Sequence, residues 1–85
     1  MRILYLDRFA REYKGLPNKV KIAAENKEII FRKNPFDKRL RAHKLSGRMS
    51  GFWSFSVDYK YRIIFEFASK EVVWFHLIGD HSIYQ

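Results

Sequence analysis

The sequence has 85 residues, no cysteine, and 17 Lys and Arg against nine Asp and Glu, which gives a formal net charge of +8. This length predicts one domain over residues 1–85, and a hydrophobic content of 47% supplies enough apolar side chains for a packed core. The lack of cysteine excludes disulfide frameworks, zinc ribbons and thiolate nucleophiles, and the positive charge favours nucleic acid, an acidic membrane surface or an acidic protein as the partner.

The N-terminal segment MRILYLDRFA lacks the long apolar region of a signal peptide. The longest apolar runs are also much shorter than a membrane span. We therefore expect a soluble, cytoplasmic protein that does not enter a membrane.

The chain opens with RILYL, an apolar run that predicts a first strand. Asp7 then follows as a candidate N-cap, since its carboxylate can accept hydrogen bonds from the first turn of a helix. The spacing of the next large apolar residues places them on one face of that helix, namely Phe9, Tyr13 and Leu16. Gly15 and Pro17 predict its end.

A second helix is predicted after Asn18, its candidate N-cap, and before the Asn34-Pro35 pair, because proline disfavours helical geometry in the preceding residue. Apolar residues at helical spacing predict its buried stripe: Val20, Ala23, Ala24, Ile30 and Phe31. Ile22 and Ile29, seven residues apart, are expected to pack on the first helix. The short break between the helices predicts an antiparallel pair.

Three runs rich in aromatic and β-branched residues follow: FWSFSV, YRIIFEF and VVWFHLI. Short polar joints separate them, which predicts an antiparallel meander of three strands. Alternation places one set of side chains on the face that covers the helices: Trp53, Phe55, Val57, Tyr61, Ile63, Phe65 and Phe67. The opposite face carries Ser54, Ser56, Arg62, Ile64 and Glu66. The predicted fold is therefore α+β, a two-layer β-α-α-β-β-β arrangement with the meander sheet packed against an N-terminal helical hairpin.

The segment between helix and meander is strongly basic. It holds seven of the 17 basic residues and a single acid, Asp37. The seven are Arg32, Lys33, Lys38, Arg39, Arg41, Lys44 and Arg48. Such a segment binds a nucleic-acid backbone through charge rather than through sequence.

Few residues offer catalytic chemistry. His76 lies inside an apolar strand and is interpreted as a structural residue, whereas His43 and His81 have polar neighbours. The sequence has no His-x₃-His pair and no GxSxG elbow, so neither a metal site nor a Ser-His-Asp hydrolase is indicated. Arg62 either pairs with Glu66 or Asp58, or presents a guanidinium to a phosphate from a rigid strand.

The segment NPFDKRLRAHKLSGRMSGFWSFSVDYKYRIIFEF, followed by VVWFHLIGDHSIYQ, resembles the RelE/ParE superfamily of type II toxin–antitoxin toxins. The HKLSG turn, the GFWS…YRIIF hairpin and the IG-x-H…Y ending carry the resemblance in this order. Within the superfamily the sequence is most similar to the RelE, YoeB and YafQ ribonucleases. The resemblance implies the β-α-α-β-β-β fold, metal-independent cleavage of mRNA on the ribosome without a cofactor, and a cognate antitoxin as partner.

Four residues correspond to ribonuclease positions. Arg62 matches the arginine near the scissile phosphate, and His81 falls where YoeB- and YafQ-like members carry a catalytic histidine. Tyr84 matches a C-terminal tyrosine whose spacing varies, and His43 matches a histidine before the HKLSG turn in YafQ-like members. The resemblance thus implies a catalytic set of Arg62, His81, Tyr84 and His43.

The sequence also departs from the ribonuclease pattern. RelE has lysines in the strand where Trp53 and Phe55 stand, and YafQ has a further histidine near Ser56 and an aspartate near Lys60. Two alternatives therefore stay open. One is a non-nuclease of the same fold, either a ParE-like gyrase inhibitor or a decayed toxin that binds its antitoxin. The other is an RNA-binding module without toxicity.

Overall fold

The computed structural model describes residues 1–84. Two helices follow the first strand, and four further strands complete the sheet. In chain order the elements are β1 (Arg2–Tyr5), α1 (Asp7–Lys14), α2 (Asn18–Lys33), β2 (His43–Lys44), β3 (Trp53–Ser56), β4 (Arg62–Phe67) and β5 (Val72–Gly79). Short 3₁₀ helices cover Lys38–Leu40, Gly47–Met49 and His81–Tyr84.

The five strands form one sheet in the order β1-β5-β4-β3-β2. The antiparallel meander of β3, β4 and β5 is confirmed, and β1 adds to β5 in parallel. The sheet is therefore mixed. Strand β2, which pairs with β3, was not predicted, because two residues show no periodicity.

The helices cover one face of the sheet, called here the helix face. Phe31 of α2 inserts between three phenylalanines of the meander, with ring centroids 5.0 Å from Phe55, 5.0 Å from Phe65 and 5.5 Å from Phe75. All four rings are fully buried. The predicted α+β arrangement and the alternation of the strands are confirmed.

Two details of the helices differ from the sequence predictions. Ile22 and Ile29 do not pack on α1, since their exposed fractions are 59% and 57%. They lie on the side of α2 opposite its buried residues, where positions seven apart share one exposed face. Asp7 and Asn18 are the first helical residues rather than the N-caps, which are Leu6 and Pro17, and neither cap makes a side-chain hydrogen bond.

The opposite face of the sheet carries Arg62 and is called the site face. A second apolar cluster lies here, formed by Ile64, Leu77 and Ile83 with the half-buried Leu45, Met49, Phe52 and Tyr84. The turn around Gly47–Met49 and the final 3₁₀ helix therefore cover part of the site face. No helix among residues 1–84 has the length and apolarity needed to cross a bilayer.

A β-bulge interrupts the pairing of β4 with β5. Phe65 lies opposite Phe75 while Ile64 lies opposite Leu77, so His76 is the extra residue. The His76 Nε2 atom is 2.9 Å from Glu66 Oε1, and the imidazole ring packs edge-on against Phe52. His76 is thus a structural residue of the sheet face.

Candidate active site

Arg62 is half-buried at the start of β4, and three groups of other strands and loops surround its guanidinium. Its Nε donates to Ser54 Oγ at 2.6 Å, and its Nη2 donates to the Arg41 carbonyl oxygen at 3.0 Å. The same Nη2 lies 3.4 Å from His43 Nδ1. The two hydrogen bonds to Ser54 and to the Arg41 carbonyl fix the plane of the guanidinium over the site face.

Neither acidic partner expected for Arg62 contacts it. Glu66 pairs with His76, and the Asp58 carboxylate accepts from the backbone N–H groups of Lys60 and Tyr61. Within residues 1–84, Arg62 has no carboxylate partner. Its charge is therefore available to an anionic ligand.

His43 lies on β2 opposite Ser54 of β3, and this pairing places it beside Arg62. Its Nδ1 is 3.2 Å from the Arg41 carbonyl oxygen. A proton on Nδ1 satisfies this contact, since the carbonyl can accept from both His43 and Arg62. In that tautomer Nε2 carries the lone pair, as a general base requires.

Arg41 owes its role to an unusual backbone conformation. Its φ of 49° lies in the left-handed region, the one such value at a non-glycine position among residues 1–84. This conformation ends the 3₁₀ helix Lys38–Leu40 and brings its carbonyl oxygen within reach of Arg62 and His43. Backbone strain of this kind is often found at functional sites.

Ser54 is a site residue that the sequence predictions missed. It is fully buried, and its Oγ lies 2.8 Å from Tyr84 Oη as well as accepting from Arg62. Ser54 thereby connects Tyr84 in the final 3₁₀ helix to the guanidinium. A signal was present, because Ser54 is a small polar residue between the aromatics Trp53 and Phe55, on the strand face that also carries Arg62.

His81 stands apart from the other predicted catalytic residues. It begins the final 3₁₀ helix and is exposed, and within residues 1–84 no hydrogen bond joins it to Arg62, His43 or Tyr84. The preceding Asp80 accepts from the Ser82 backbone N–H at 2.9 Å, which holds the pKa of Asp80 below its usual value. The helix that carries His81 is thus fixed at its start.

The seven basic residues of segment 32–48 are all exposed but do not form one surface. Arg32 contacts Glu28 and Tyr5 between the helices and β1, and Lys44 lies over the Trp53 ring near the helix face. Lys38, Arg39 and Arg41 line a common cleft. No contact with Arg62 is found for Lys33 or Arg48 in the part of the chain that the structure describes.

The departures at Trp53 and Phe55 fall on the helix face, because Phe55 belongs to the main core and the half-buried Trp53 packs against that core. The β3 side chains that share the site face with Arg62 are Ser54 and Ser56. The aromatic residues of β3 therefore do not fill the site. The strand also supplies no lysine to it, in contrast to RelE. Residues 1–84 contain no cluster of three His, Asp or Glu side chains suited to a metal ion.

Solved structures with the same fold align over nearly the whole chain. YafQ from E. coli strain BL21(DE3) aligns with a TM-score of 0.80 at 17% identity, over 99% of this chain and 98% of YafQ. The YoeB/ParE toxin from Agrobacterium tumefaciens has a TM-score of 0.80 at 15% identity, over 95% and 99%. The YoeB dimer from Staphylococcus aureus has a TM-score of 0.78 at 13% identity, over 95% and 97%.

The sequence matches no protein-family model and no curated protein. The fold is what the chain shares with the solved toxins at these identities. With its two helices and mixed five-stranded sheet, the chain has the fold of the solved YafQ and YoeB/ParE toxins.

Proposed function

We propose that this protein is the toxin of a type II toxin–antitoxin pair and acts as a metal-independent, ribosome-dependent mRNA endoribonuclease in the cytoplasm. The observation that carries the proposal is the Arg62 guanidinium, which has no carboxylate partner within residues 1–84 and lies 3.4 Å from His43. An exposed imidazole next to an unpaired guanidinium suits phosphodiester cleavage.

RNA supplies its own nucleophile, the 2′-OH. The protein needs to remove this proton, stabilise the charge that develops on phosphorus oxygens, and protonate the leaving 5′-oxygen. Arg62 is the group for the phosphate charge, held by Ser54 and the Arg41 carbonyl. The products are a 2′,3′-cyclic phosphate and a 5′-hydroxyl.

Two side chains are candidates for the proton transfers. His43 Nε2 is the base, since Nδ1 faces the Arg41 carbonyl oxygen. His81 is the acid that protonates the leaving oxygen. It would contact the bound RNA directly, since within residues 1–84 it makes no hydrogen bond to Arg62. Tyr84, hydrogen-bonded to Ser54, contacts the RNA or holds Arg62 in place.

The partner we propose is a cognate antitoxin, and the ribosome and mRNA are the targets. Two neighbours in fold support the antitoxin: the YoeB–YefM complex from Staphylococcus aureus, with a TM-score of 0.77, and the E. coli DinJ–YafQ toxin–antitoxin complex, with 0.74. The net charge of +8 supports both an acidic antitoxin and RNA.

The test is primer extension on a translated mRNA after induction of the protein. The parent should cut the message, and Arg62→Ala, His43→Gln and His81→Gln should each lower the cleavage rate by about 10²–10⁴-fold. His76→Gln is the matched control, because His76 pairs with Glu66 and not with Arg62. It should cleave as the parent does. Uncut message in growth-arrested cells would contradict the proposal.

A second candidate is a non-nuclease of this fold, such as a ParE-like gyrase inhibitor or a protein that binds its antitoxin alone. It is favoured by the site face of β3, where serines rather than lysines accompany Arg62, and by the separation of His81 from the other candidates. Loss of DNA supercoiling with intact mRNA would identify the gyrase inhibitor.

A further inference from the structure

A cleft of about 630 Å³ adjoins Arg62 at the end of β3. Four cationic side chains line it: Lys27, Lys38, Arg39 and Arg41. Lys27 comes from α2 and the other three from the loop that leads to β2, so the fold brings two separate parts of the chain together here.

The cleft is continuous with the candidate active site at two points. Ser56, which lines the cleft, lies opposite Arg62 in the pairing of β3 with β4. Arg41 also lines the cleft, and its carbonyl oxygen accepts from Arg62 Nη2. If the reacting phosphate of a polymeric ligand lies at Arg62, the units next to that phosphate would therefore lie in the cleft.

The four cations of the cleft face two carboxylates, Asp37 and Asp58, so a net positive charge remains. Arg39 is bound to Asp37 through two hydrogen bonds of 3.0 and 2.9 Å, and this contact lowers the pKa of Asp37 to about 2. Asp58 is the one acid in the lining. Lys27 uses one N–H on the Val57 carbonyl oxygen at 3.3 Å and keeps two donors for a ligand.

Tyr59 stands at the rim of the cleft with 95% of its surface exposed. The turn that carries it is fixed, because Asp58 Oδ1 accepts from the N–H groups of Lys60 and Tyr61 at 2.8 and 2.7 Å. Tyr59 belongs to neither apolar cluster of residues 1–84, so packing in the core does not account for an aromatic ring at this position. An aromatic ring beside a cationic groove is the arrangement by which proteins bind single-stranded nucleic acid, stacking a base while cations hold its phosphate.

We propose that this cleft binds the single-stranded RNA segment next to the cleaved phosphodiester, with Lys27, Lys38 and Arg41 on a backbone phosphate and Tyr59 stacked on a base. The assignment rests on the proposed function and adds Lys27 and Tyr59, which lie outside the basic segment 32–48. It predicts tolerance of base identity, because stacking and phosphate contacts do not read sequence.

The test is fluorescence anisotropy with a short labelled 2′-O-methyl oligoribonucleotide, which lacks the nucleophile and stays uncut. Tyr59→Ala should weaken binding by about 5- to 150-fold, the range for loss of one stacked base, and Tyr59→Phe should bind as the parent does. A salt titration should show that Lys27→Met reduces the slope of log K against log salt by about 0.7, the value for one phosphate contact on a single strand.

Two further variants complete the design. Arg41→Gly should reduce the same slope, because glycine keeps the left-handed backbone and removes the guanidinium. Lys19→Met removes an exposed lysine of α2 outside the cleft and should leave the slope unchanged. Melting temperatures show which variants are folded.

Parental affinity in Tyr59→Ala together with a parental slope in Lys27→Met would overturn the assignment. If these variants lost affinity for an oligoglutamate peptide and not for RNA, the cleft would be a protein-binding site instead. Binding does not require cleavage, so a protein that binds RNA in the cleft but leaves translated mRNA intact would refute the proposed function alone.

Discussion

The backbone conformation of Arg41 is energetically costly, and it helps to position the side chain of Arg62. Its left-handed backbone directs a carbonyl oxygen to Arg62, and a left-handed non-glycine residue costs about 1–2 kcal/mol. Two variants that both lack the Arg41 side chain separate backbone from charge. Arg41→Gly should retain stability and the position of Arg62. Arg41→Val should lower the free energy of unfolding by about 1–3 kcal/mol, since a β-branched residue disfavours this conformation further.

Urea unfolding measures the difference between the two variants, and cleavage of translated mRNA reports on Arg62. Equal stability of Arg41→Gly and Arg41→Val would mean that the backbone conformation carries no strain.

Ser54 offers a test of whether Tyr84 acts through Arg62. Ser54→Ala removes the oxygen between the guanidinium and the phenol, and leaves Arg62 Nε without its buried acceptor. We expect a loss of about 1–3 kcal/mol in unfolding free energy and a fall in mRNA cleavage at saturating ribosomes. Ser50→Ala, at an exposed serine, is the control. Cleavage at the parental rate in Ser54→Ala would show that the Ser54 link has no role in positioning.

The raised pKa of Tyr13 predicts that the free energy of unfolding falls in alkaline solution. Burial and its 2.6 Å hydrogen bond to Glu25 raise the pKa of Tyr13 to about 12 from 10.0. A raised folded-state pKa means that the stabilisation is complete below the unfolded value of 10.0 and is lost as pH rises towards 12. The free energy of unfolding should fall more steeply over this window in the parent than in Tyr13→Phe. Parallel curves would contradict the assignment.

At the scale of elements, α1 is tied to β5 by Glu12. Strand β5 extends beyond β1, and its Ile78 N–H donates to Glu12 Oε1 at 3.1 Å instead of to a strand. Glu12→Ala leaves this half-buried donor unpaired and should cost about 1–3 kcal/mol in unfolding free energy, whereas Glu12→Gln retains an acceptor oxygen. Faster hydrogen exchange at the Ile78 amide in Glu12→Ala would confirm the contact. Equal protection in both variants would count against it.

The final 3₁₀ helix depends on Gly79. A Cβ at Gly79 would collide with the Ile83 side chain, which packs on the site face with Ile64 and Leu77. Gly79→Ala should displace the helix and separate Tyr84 from Ser54. We expect reduced cleavage with a small change in melting temperature, because the main core lies on the other face. A control is Gly15→Ala, where the added methyl group has ordinary contacts. Parental cleavage in Gly79→Ala would mean that the position of the final helix is not needed.

The elements also show how far sequence patterns reach. The meander was predictable because alternation at Trp53, Phe55 and Val57 continues over several residues. The contact of His43 with Arg62 was not, because it depends on β2, a strand of two residues without a pattern. The prediction that Ile22 and Ile29 pack on α1 was wrong, because helical spacing identifies an apolar face without showing whether another element covers it.

At the scale of the whole molecule, stability depends on one aromatic cluster. Phe31 contacts Phe55, Phe65 and Phe75, and therefore joins α2 to three strands. Phe31→Ala should cost about 3–5 kcal/mol, a large share of the stability of a domain of this size. Thermal unfolding should show a correspondingly lower melting temperature, and Phe36→Ala, at a ring with 58% of its surface exposed, should show a smaller decrease. Equal decreases would contradict the central role of Phe31.

The parallel pairing of β1 with β5 has a consequence for the making of the protein. Arg2 lies opposite Val72, so β1 is synthesised before both helices, whereas its partner β5 is the last strand of the meander to be synthesised. Contacts between such distant residues form late and slow the folding of a domain. The segment that brings Tyr84 to Ser54 is later still. While β5 is inside the ribosome, the nascent chain contains Arg62 but lacks the complete sheet that holds it. The activity proposed here therefore arises only after all five strands have been synthesised.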